Sequence, residues 1–312
     1  MNWKLTLKVL ISVALLVFIF NATGIQSTFQ QLSSANLWYV PIGVTVYLLG
    51  QVVSSYRWQK VSEPLGFKMP LIQYFDFYMM GMYFSLFLPG AIGGDVGKMF
   101  YLAKTTGKQK RSALLTILAE RGFGFMALVI LIALMTLTPV FDPLPEAFKW
   151  GFRGLFLVGL IVLLLLKRQW FLTQLEKQKA LTFFKEASVY WKNNALISKS
   201  VLISILYHMM LTLIHMLIVK AFGLDLSPWY LIVVYTSVSL VSILPISFNG
   251  FGVREGAYQY FLMQAGVESQ TALAFALYFT LISTLTSLLG GLVMLKGHYK
   301  TPEKQDIATI EA

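Results

Sequence analysis

Charged side chains occur at a few places inside otherwise apolar segments of this 312-residue chain. Lys98, Arg121 and Arg254 are cations that suit a phosphate-bearing ligand, since Arg offers bidentate contacts and Lys a point charge. Helices that start after Gly94 and Gly250 would direct free backbone N–H groups at the same anion. These residue types therefore predict the binding of an anionic, phosphate-containing group.

Carboxylates accompany these cations. Asp95 lies three residues before Lys98, so the two side chains can pair across one helical turn. Glu120 and Arg121 are adjacent and point in different directions, and we expect Lys98 to pair with Glu120 and Asp95 with Arg121. The alternative to phosphate binding is that these charges form structural ion pairs between loops and helices. The predicted substrate-binding residues are Asp95, Lys98, Glu120, Arg121, Arg254 and Glu255.

Other kinds of chemistry find little support. The chain has no Cys and 3 His, which excludes disulfides, thiolate sites and a His-rich metal centre. His208 and His215 lie seven residues apart without an acidic residue at ligand spacing, so we expect polar contacts between helices. Asp76 is a further intramembrane charge, with Arg57 as its predicted partner. No Walker A sequence occurs, and we predict neither a metal nor a cofactor.

The elements that must position these residues are membrane-spanning helices. The chain is 57% hydrophobic and 12% charged, with a mean hydropathy of +0.68. A soluble domain carries about 25% charged residues, and about 20 apolar residues span a bilayer as a helix. The net charge of +11 comes from basic residues between the apolar segments and matches no nucleic-acid-binding motif. The sequence predicts an all-α polytopic membrane protein without a nucleic-acid partner.

Lys and Arg in short loops predict the orientation. Residues 21–36 carry no charge and are expected outside, whereas residues 57–68 and 98–111 are basic and are expected in the cytoplasm. The apolar segment 71–88 between the two basic loops is therefore predicted to be re-entrant. The same rule places the N-terminus and the tail, residues 299–312, on the cytoplasmic side of a plasma (inner) membrane.

Two segments of the chain resemble each other. Residues 88–98 and 244–254 both contain Leu-Pro, a Gly five positions after the Pro and a cation nine positions after it. The offset of 156 is half of the 312 residues. Corresponding Pro and Gly interruptions are typical of broken helices in inverted-repeat transporters. The predicted loop-forming residues are Pro89, Gly93, Gly94, Pro245, Asn249, Gly250 and Gly252.

The repeat leads to a specific fold prediction. We expect about six full crossings plus two re-entrant broken-helix elements, arranged as an inverted-topology repeat. Residues 1–150 would form the first repeat, with its broken loop near 89–98, and residues 151–298 the second, with its loop near 245–256. Because each half has an odd number of crossings, three, the second half is expected to have the opposite orientation in the membrane. The alternative is two unrelated Pro/Gly interruptions.

Residues 88–98, the Glu120-Arg121-Gly122 step and residues 245–256 together resemble the transmembrane region of lysylphosphatidylglycerol synthases. The resemblance extends from the first helix to about Leu295 and departs at Lys98, where the family more often has Arg. In the full synthases this region resembles a flippase for aminoacylated phospholipid, while a separate cytoplasmic domain makes the lipid. Because that domain is not found in this sequence, the resemblance implies a stand-alone lipid translocase.

Three functions follow as hypotheses. The first is a flippase that moves an anionic or phosphate-bearing lipid between membrane leaflets, and no catalytic motif indicates an enzyme. The second is a membrane-embedded transferase with a polyprenyl-phosphate donor, which would use Asp142 and Glu146 on an external loop. The third is a non-transporting membrane partner of a separate lipid-modifying enzyme.

Overall fold

The computed structural model describes residues 3–87, 93–167, 181–244, 246–247 and 250–295. Several predicted features lie outside these described residues. They are Pro89, Pro245, Asn249 and the tail 299–312.

Twelve α-helices make up most of the described chain, which confirms the all-α prediction. They are α1 (Trp3–Thr23), α2 (Ile25–Ser34), α3 (Tyr39–Ser62), α4 (Leu71–Phe87), α5 (Gly93–Thr106), α6 (Lys110–Met135), α7 (Glu146–Lys167), α8 (Leu181–Trp191), α9 (Asn194–Ala221), α10 (Pro228–Ser242), α11 (Val253–Gln264) and α12 (Ser269–Met294). In the described chain, four helices are long and apolar enough to cross a membrane, namely α1, α6, α9 and α12. A fifth span results if α2 and α3, bent by 84°, count together.

Helices α4 and α5 form a pair that is held close by glycine. With 17 and 14 residues, both are shorter than the roughly 20 residues needed for a crossing. A Cβ atom on Gly94 would lie 2.4 Å from the carbonyl oxygen of Gly81 and 2.2 Å from the hydroxyl of Ser85. Only glycine permits this approach, which explains the need for Gly94 at the start of α5.

Helices α10 and α11 form a second short pair, of 15 and 12 residues. Gly250 and Gly252, at the turn between them, have φ angles of +79° and +82°, which favour glycine. The N–H of Gly252 donates to Oε2 of Glu255 at 2.7 Å, and α11 begins at Val253. Both glycines therefore lie in the turn that precedes α11.

The helix bounds of the two halves correspond at the offset of 156 residues. Adding 156 to the bounds of α3, α4, α5 and α6 gives 195–218, 227–243, 249–262 and 266–291, against Asn194–Ala221, Pro228–Ser242, Val253–Gln264 and Ser269–Met294 for α9 to α12. Packing follows the same correspondence, because α12 packs against α3 and α4 while α6 packs against α9 and α10.

Helices α3 and α9 run antiparallel along a shared core. The N–H of Asn36, just before α3, donates to the carbonyl of Ala221 at the end of α9 at 2.9 Å. Near the other end of α3, Arg57 donates to the hydroxyl of Ser204 in the first half of α9 at 2.6 Å. The start of one helix therefore meets the end of the other.

Helix α12 packs against α4 through a glycine that has no room for a side chain. A Cβ atom on Gly290 would lie 2.1 Å from the carbonyl oxygen of Met79 and 3.1 Å from Cβ of Tyr83. Since the obstacle at Met79 is backbone, α4 and α12 would have to separate to admit a methyl group. This contact joins a helix of the first half to one of the second.

We expect Gly290→Ala to destabilise the protein by about 1 to 3 kcal/mol, because overpacking forces the two helices apart. Gly159→Ala on α7 is the matched control, since nothing lies within 4 Å of its Cβ position. Thermal unfolding of both purified variants in the same detergent measures the difference. Equal melting temperatures for Gly290→Ala and the wild type would contradict the close α4–α12 packing.

Candidate functional site

Glu120 on α6 is the centre of a buried charged cluster, and its side chain is only 2% exposed. Its Oε1 accepts hydrogen bonds from the Arg57 guanidinium on α3 and, at 3.2 Å, from the Tyr78 hydroxyl on α4. Its Oε2 lies 3.7 Å from Nζ of Lys98 on α5. A buried carboxylate stays ionised only when it is paired in this way, so this single group holds four helices together.

Arg57 connects the cluster to the second half of the chain. Besides Glu120, its guanidinium donates to the hydroxyls of Ser204 at 2.6 Å and Ser54 at 3.1 Å. The sequence suggested Asp76 as the partner of Arg57, and that prediction is wrong: Glu120 is the partner. The two residues are separated by 63 positions, and only the side-by-side packing of α3 and α6 brings them together.

Lys98 lies in a partly aromatic cage. Its Nζ is 3.2 Å from Oδ1 of Asp95, which confirms the predicted pair across one helical turn. The same ammonium lies 4.2 Å from the ring centre of Tyr78 and 5.2 Å from that of Trp58. The Trp58 ring is held in place by its N–H, which donates to Thr116 at 2.9 Å. Cation–π attraction thus supplements the two carboxylates that face Lys98.

Arg121 closes the outer end of the cluster. Its Nε pairs with Oδ2 of Asp95, so that Asp95 lies between Arg121 and Lys98. The expected pairs of Lys98 with Glu120 and of Asp95 with Arg121 are therefore confirmed. The side chain of Arg121 is 48% exposed, against 5% for Arg57. The cluster consequently extends from an accessible cation to a fully buried one.

Arg254 and Glu255 form a second, smaller cluster. The guanidinium of Arg254 donates to Oε1 of Glu255 at 2.9 Å and 3.1 Å and to the Thr280 hydroxyl at 2.9 Å. It also lies 5.3 Å from the ring centre of Phe251. The six predicted site residues thus fall into one group of four and one pair, and the charges of the pair balance each other.

The two histidines of α9 make polar contacts between helices, as predicted. His208 bonds to the Tyr235 hydroxyl on α10 at 2.7 Å and to the carbonyl of Gly124 on α6 at 3.1 Å. His215 bonds to the Tyr258 hydroxyl on α11 at 2.7 Å. Both rings therefore connect the central helix α9 with its neighbours.

The described residues offer no group of three or more His, Asp or Glu side chains that could hold a metal ion. Asp142 and Glu146, which a transferase would use, both pair with Lys149, at 3.1 and 2.8 Å. Their side chains are 65% and 69% exposed. The two carboxylates therefore belong to a small surface ion-pair group.

The apolar helices and the charges enclosed between them define an integral membrane protein with a polar site inside its helical bundle. The particular family follows from comparison with known proteins. The family described as lysylphosphatidylglycerol synthase TM region matches residues 5–291, and the chain belongs to this family. No curated protein and no solved structure matches the chain.

We expect Glu120→Gln to lower the free energy of unfolding by about 3 to 5 kcal/mol, because Arg57 and Lys98 lose their common counter-ion in a buried setting. Glu63→Gln is the matched control, since its partner Lys60 is exposed and surface pairs contribute little. Melting temperatures of both variants in detergent give the comparison. An equal decrease in melting temperature in the two variants would show that the buried ion pairs of Glu120 contribute no more to stability than a surface pair.

Proposed function

We propose that the protein is a lipid translocase that moves a phosphate-bearing lipid between the leaflets of the plasma membrane. The observation that carries this proposal is the cluster of Arg57, Asp95, Lys98, Glu120 and Arg121 inside the helical bundle. Such charges are costly at membrane depth and are kept where a polar group must pass or bind. A lipid head group is the polar group that a membrane itself supplies.

Family membership supports a lipid-related role. The matching family is the membrane region of a lipid synthase, by its description. Most of the apolar side chains in the second half of α7 are exposed, as expected for a surface in contact with acyl chains. In this proposal the head group binds at Arg121 while the acyl tails remain in the bilayer.

We further propose that the two halves, residues 1–150 and 151–298, form an inverted repeat. The corresponding helix bounds support it, as does the antiparallel packing of α3 on α9. Gln51 donates to the hydroxyl of Tyr207 at 3.5 Å, and these residues are separated by 156 positions. A residue that touches its own repeat equivalent lies on the axis relating the two halves, which supports a two-fold axis between α3 and α9.

In this arrangement α1, α3, α6, α7, α9 and α12 are the six crossings. The pairs α4–α5 and α10–α11 are the re-entrant elements, the first entering from the cytoplasm and the second from outside. Both termini then lie in the cytoplasm. Head groups would pass between the two re-entrant pairs, each of which carries a cation, Lys98 or Arg254, at the equivalent position.

Single-Cys labelling tests this topology, because the native chain has no Cys. Lys68, Gln109 and Ser227 are exposed positions before α4, before α6 and before α10. We expect Lys68→Cys and Gln109→Cys to react with an impermeant maleimide from the cytoplasmic side and Ser227→Cys from outside. Labelling of Lys68→Cys and Gln109→Cys from opposite sides would contradict the re-entrant pair, and labelling of all three from one side would contradict the inversion.

Transport itself is tested in proteoliposomes with acyl-labelled fluorescent phosphatidylglycerol and an impermeant quencher. We expect Arg121→Ala to slow lipid movement by at least about tenfold, because charge-assisted contacts to the phosphate are lost. Arg111→Ala is the matched control, since Arg111 is also on α6, is 40% exposed and pairs with Glu186. The control should transport at the wild-type rate.

The proposal fails if wild-type protein moves no lipid above protein-free vesicles. It also fails if Arg121→Ala transports as fast as Arg111→Ala at equal reconstitution. Melting temperatures of both variants show whether a loss of transport reflects unfolding. Since half of the Arg121 side chain is exposed, we expect the variant to remain folded.

A further inference from the structure

The carboxylate of Asp95 lies between two cations. One oxygen is 3.2 Å from Nζ of Lys98, and the other pairs with Nε of Arg121. A phosphate with two free oxygens makes the same kind of contact with an Arg and a Lys. Asp95 thus fills a position that suits a phosphate.

Asp95 is the more exposed of the two carboxylates in the cluster. The Arg121 side chain is 48% exposed, that of Asp95 13% and that of Lys98 6%. Glu120 is 2% exposed and is also bound by Arg57 and Tyr78. A ligand that approaches along Arg121 therefore meets Asp95 before Glu120, and Glu120 keeps its own partners when Asp95 is displaced.

The cluster also has an uneven charge. Its cations are Arg57, Lys98 and Arg121, and its carboxylates are Asp95 and Glu120, which leaves one positive charge in excess. The pair of Arg254 and Glu255, by comparison, has no excess. Because uncompensated charge is unfavourable in a desolvated site, the cluster is matched to a ligand with one negative charge.

We infer that Asp95 occupies the position that the lipid phosphate takes on binding. Its charge determines which head-group charge the site accepts, and the substrate is a lipid with a singly charged phosphodiester head group. This inference rests on the proposed lipid-binding function of the cluster. On binding, the phosphate takes over the contacts to Arg121 and Lys98. The Asp95 carboxylate, one turn from Lys98 on the same helix, stays in the cluster, so the net charge of the site becomes zero. A zwitterionic head group leaves one positive charge uncompensated, and a doubly charged phosphomonoester leaves one negative charge.

The test is ligand-induced stabilisation of the purified full-length protein in a neutral detergent, since a bound ligand raises the melting temperature. The probes are dioctanoyl phosphatidylglycerol, phosphatidic acid and phosphatidylcholine, together with inorganic phosphate. Measurement at about pH 8 keeps the phosphomonoester close to two charges. We expect the wild type to bind phosphatidylglycerol at least about tenfold more tightly than the other three probes.

The decisive variant is Asp95→Asn, which raises the excess to two positive charges. We expect its preference to change in favour of phosphatidic acid, with the ratio of the two dissociation constants shifting by at least about tenfold. Asp95→Glu keeps the charge and should keep the wild-type preference. Glu146→Gln, which removes a carboxylate of the surface group on α7, controls for a general loss of negative charge, and Lys149→Gln is the corresponding control for a removed cation.

An unchanged ratio in Asp95→Asn overturns the inference. So does inorganic phosphate that binds as tightly as phosphatidylglycerol, because the site would then recognise phosphate without a lipid. If Asp95→Asn does not fold, Lys98→Gln replaces it: this variant has no excess charge and should no longer prefer phosphatidylglycerol over phosphatidylcholine. A retained preference in Lys98→Gln likewise overturns the inference.

Transport and binding measurements together distinguish a failure of the proposed function from a failure of this inference. If the wild type transports labelled phosphatidylglycerol while Asp95→Asn keeps the wild-type preference, the translocase proposal stands and the role of Asp95 is wrong. If the wild type binds phosphatidylglycerol with the expected preference but moves none in vesicles, the binding site stands and translocation is wrong.

Discussion

The buried carboxylate of Glu120 is the constraint on which the arrangement of the first half depends. An ionised group away from water must be compensated by nearby charge and hydrogen bonds. Glu120 obtains this compensation from Arg57, Lys98 and Tyr78, which lie on three other helices. The positions of α3, α4 and α5 around α6 are therefore coupled to each other through one side chain, and Arg57 extends the coupling to α9 through Ser204.

Close backbone contacts fix the positions of helices where no charge is present. Gly94 brings α5 against Gly81 of α4, and Gly290 brings α12 against Met79 of the same helix. Between helices in a membrane, the hydrophobic effect offers little driving force, so small residues that allow close packing gain importance. Helix α4 is accordingly held from two sides, by its own half and by the other, which keeps Tyr78 in position beside Glu120.

The two short helix pairs differ in electrostatics. Lys98 and Arg254 stand at equivalent positions, yet Lys98 belongs to a five-membered cluster with an excess positive charge and Arg254 to a balanced pair. The two positions, which are equivalent in the proposed repeat, thus differ in the charges around them. In the proposed mechanism, this asymmetry gives the two sides of the membrane different affinities for the head group.

The sequence by itself determined the all-α membrane fold. It also determined the pairs of Lys98 with Glu120 and Asp95 with Arg121, because these residues lie on elements that follow one another in the chain. Only the tertiary structure revealed Arg57, Tyr78 and Ser204 as members of the site. Arg57 lies 63 positions from Glu120 and 147 from Ser204. Side chains at such separations meet only through the packing of whole helices, and neither apolar periodicity nor loop charge specifies which helix faces which.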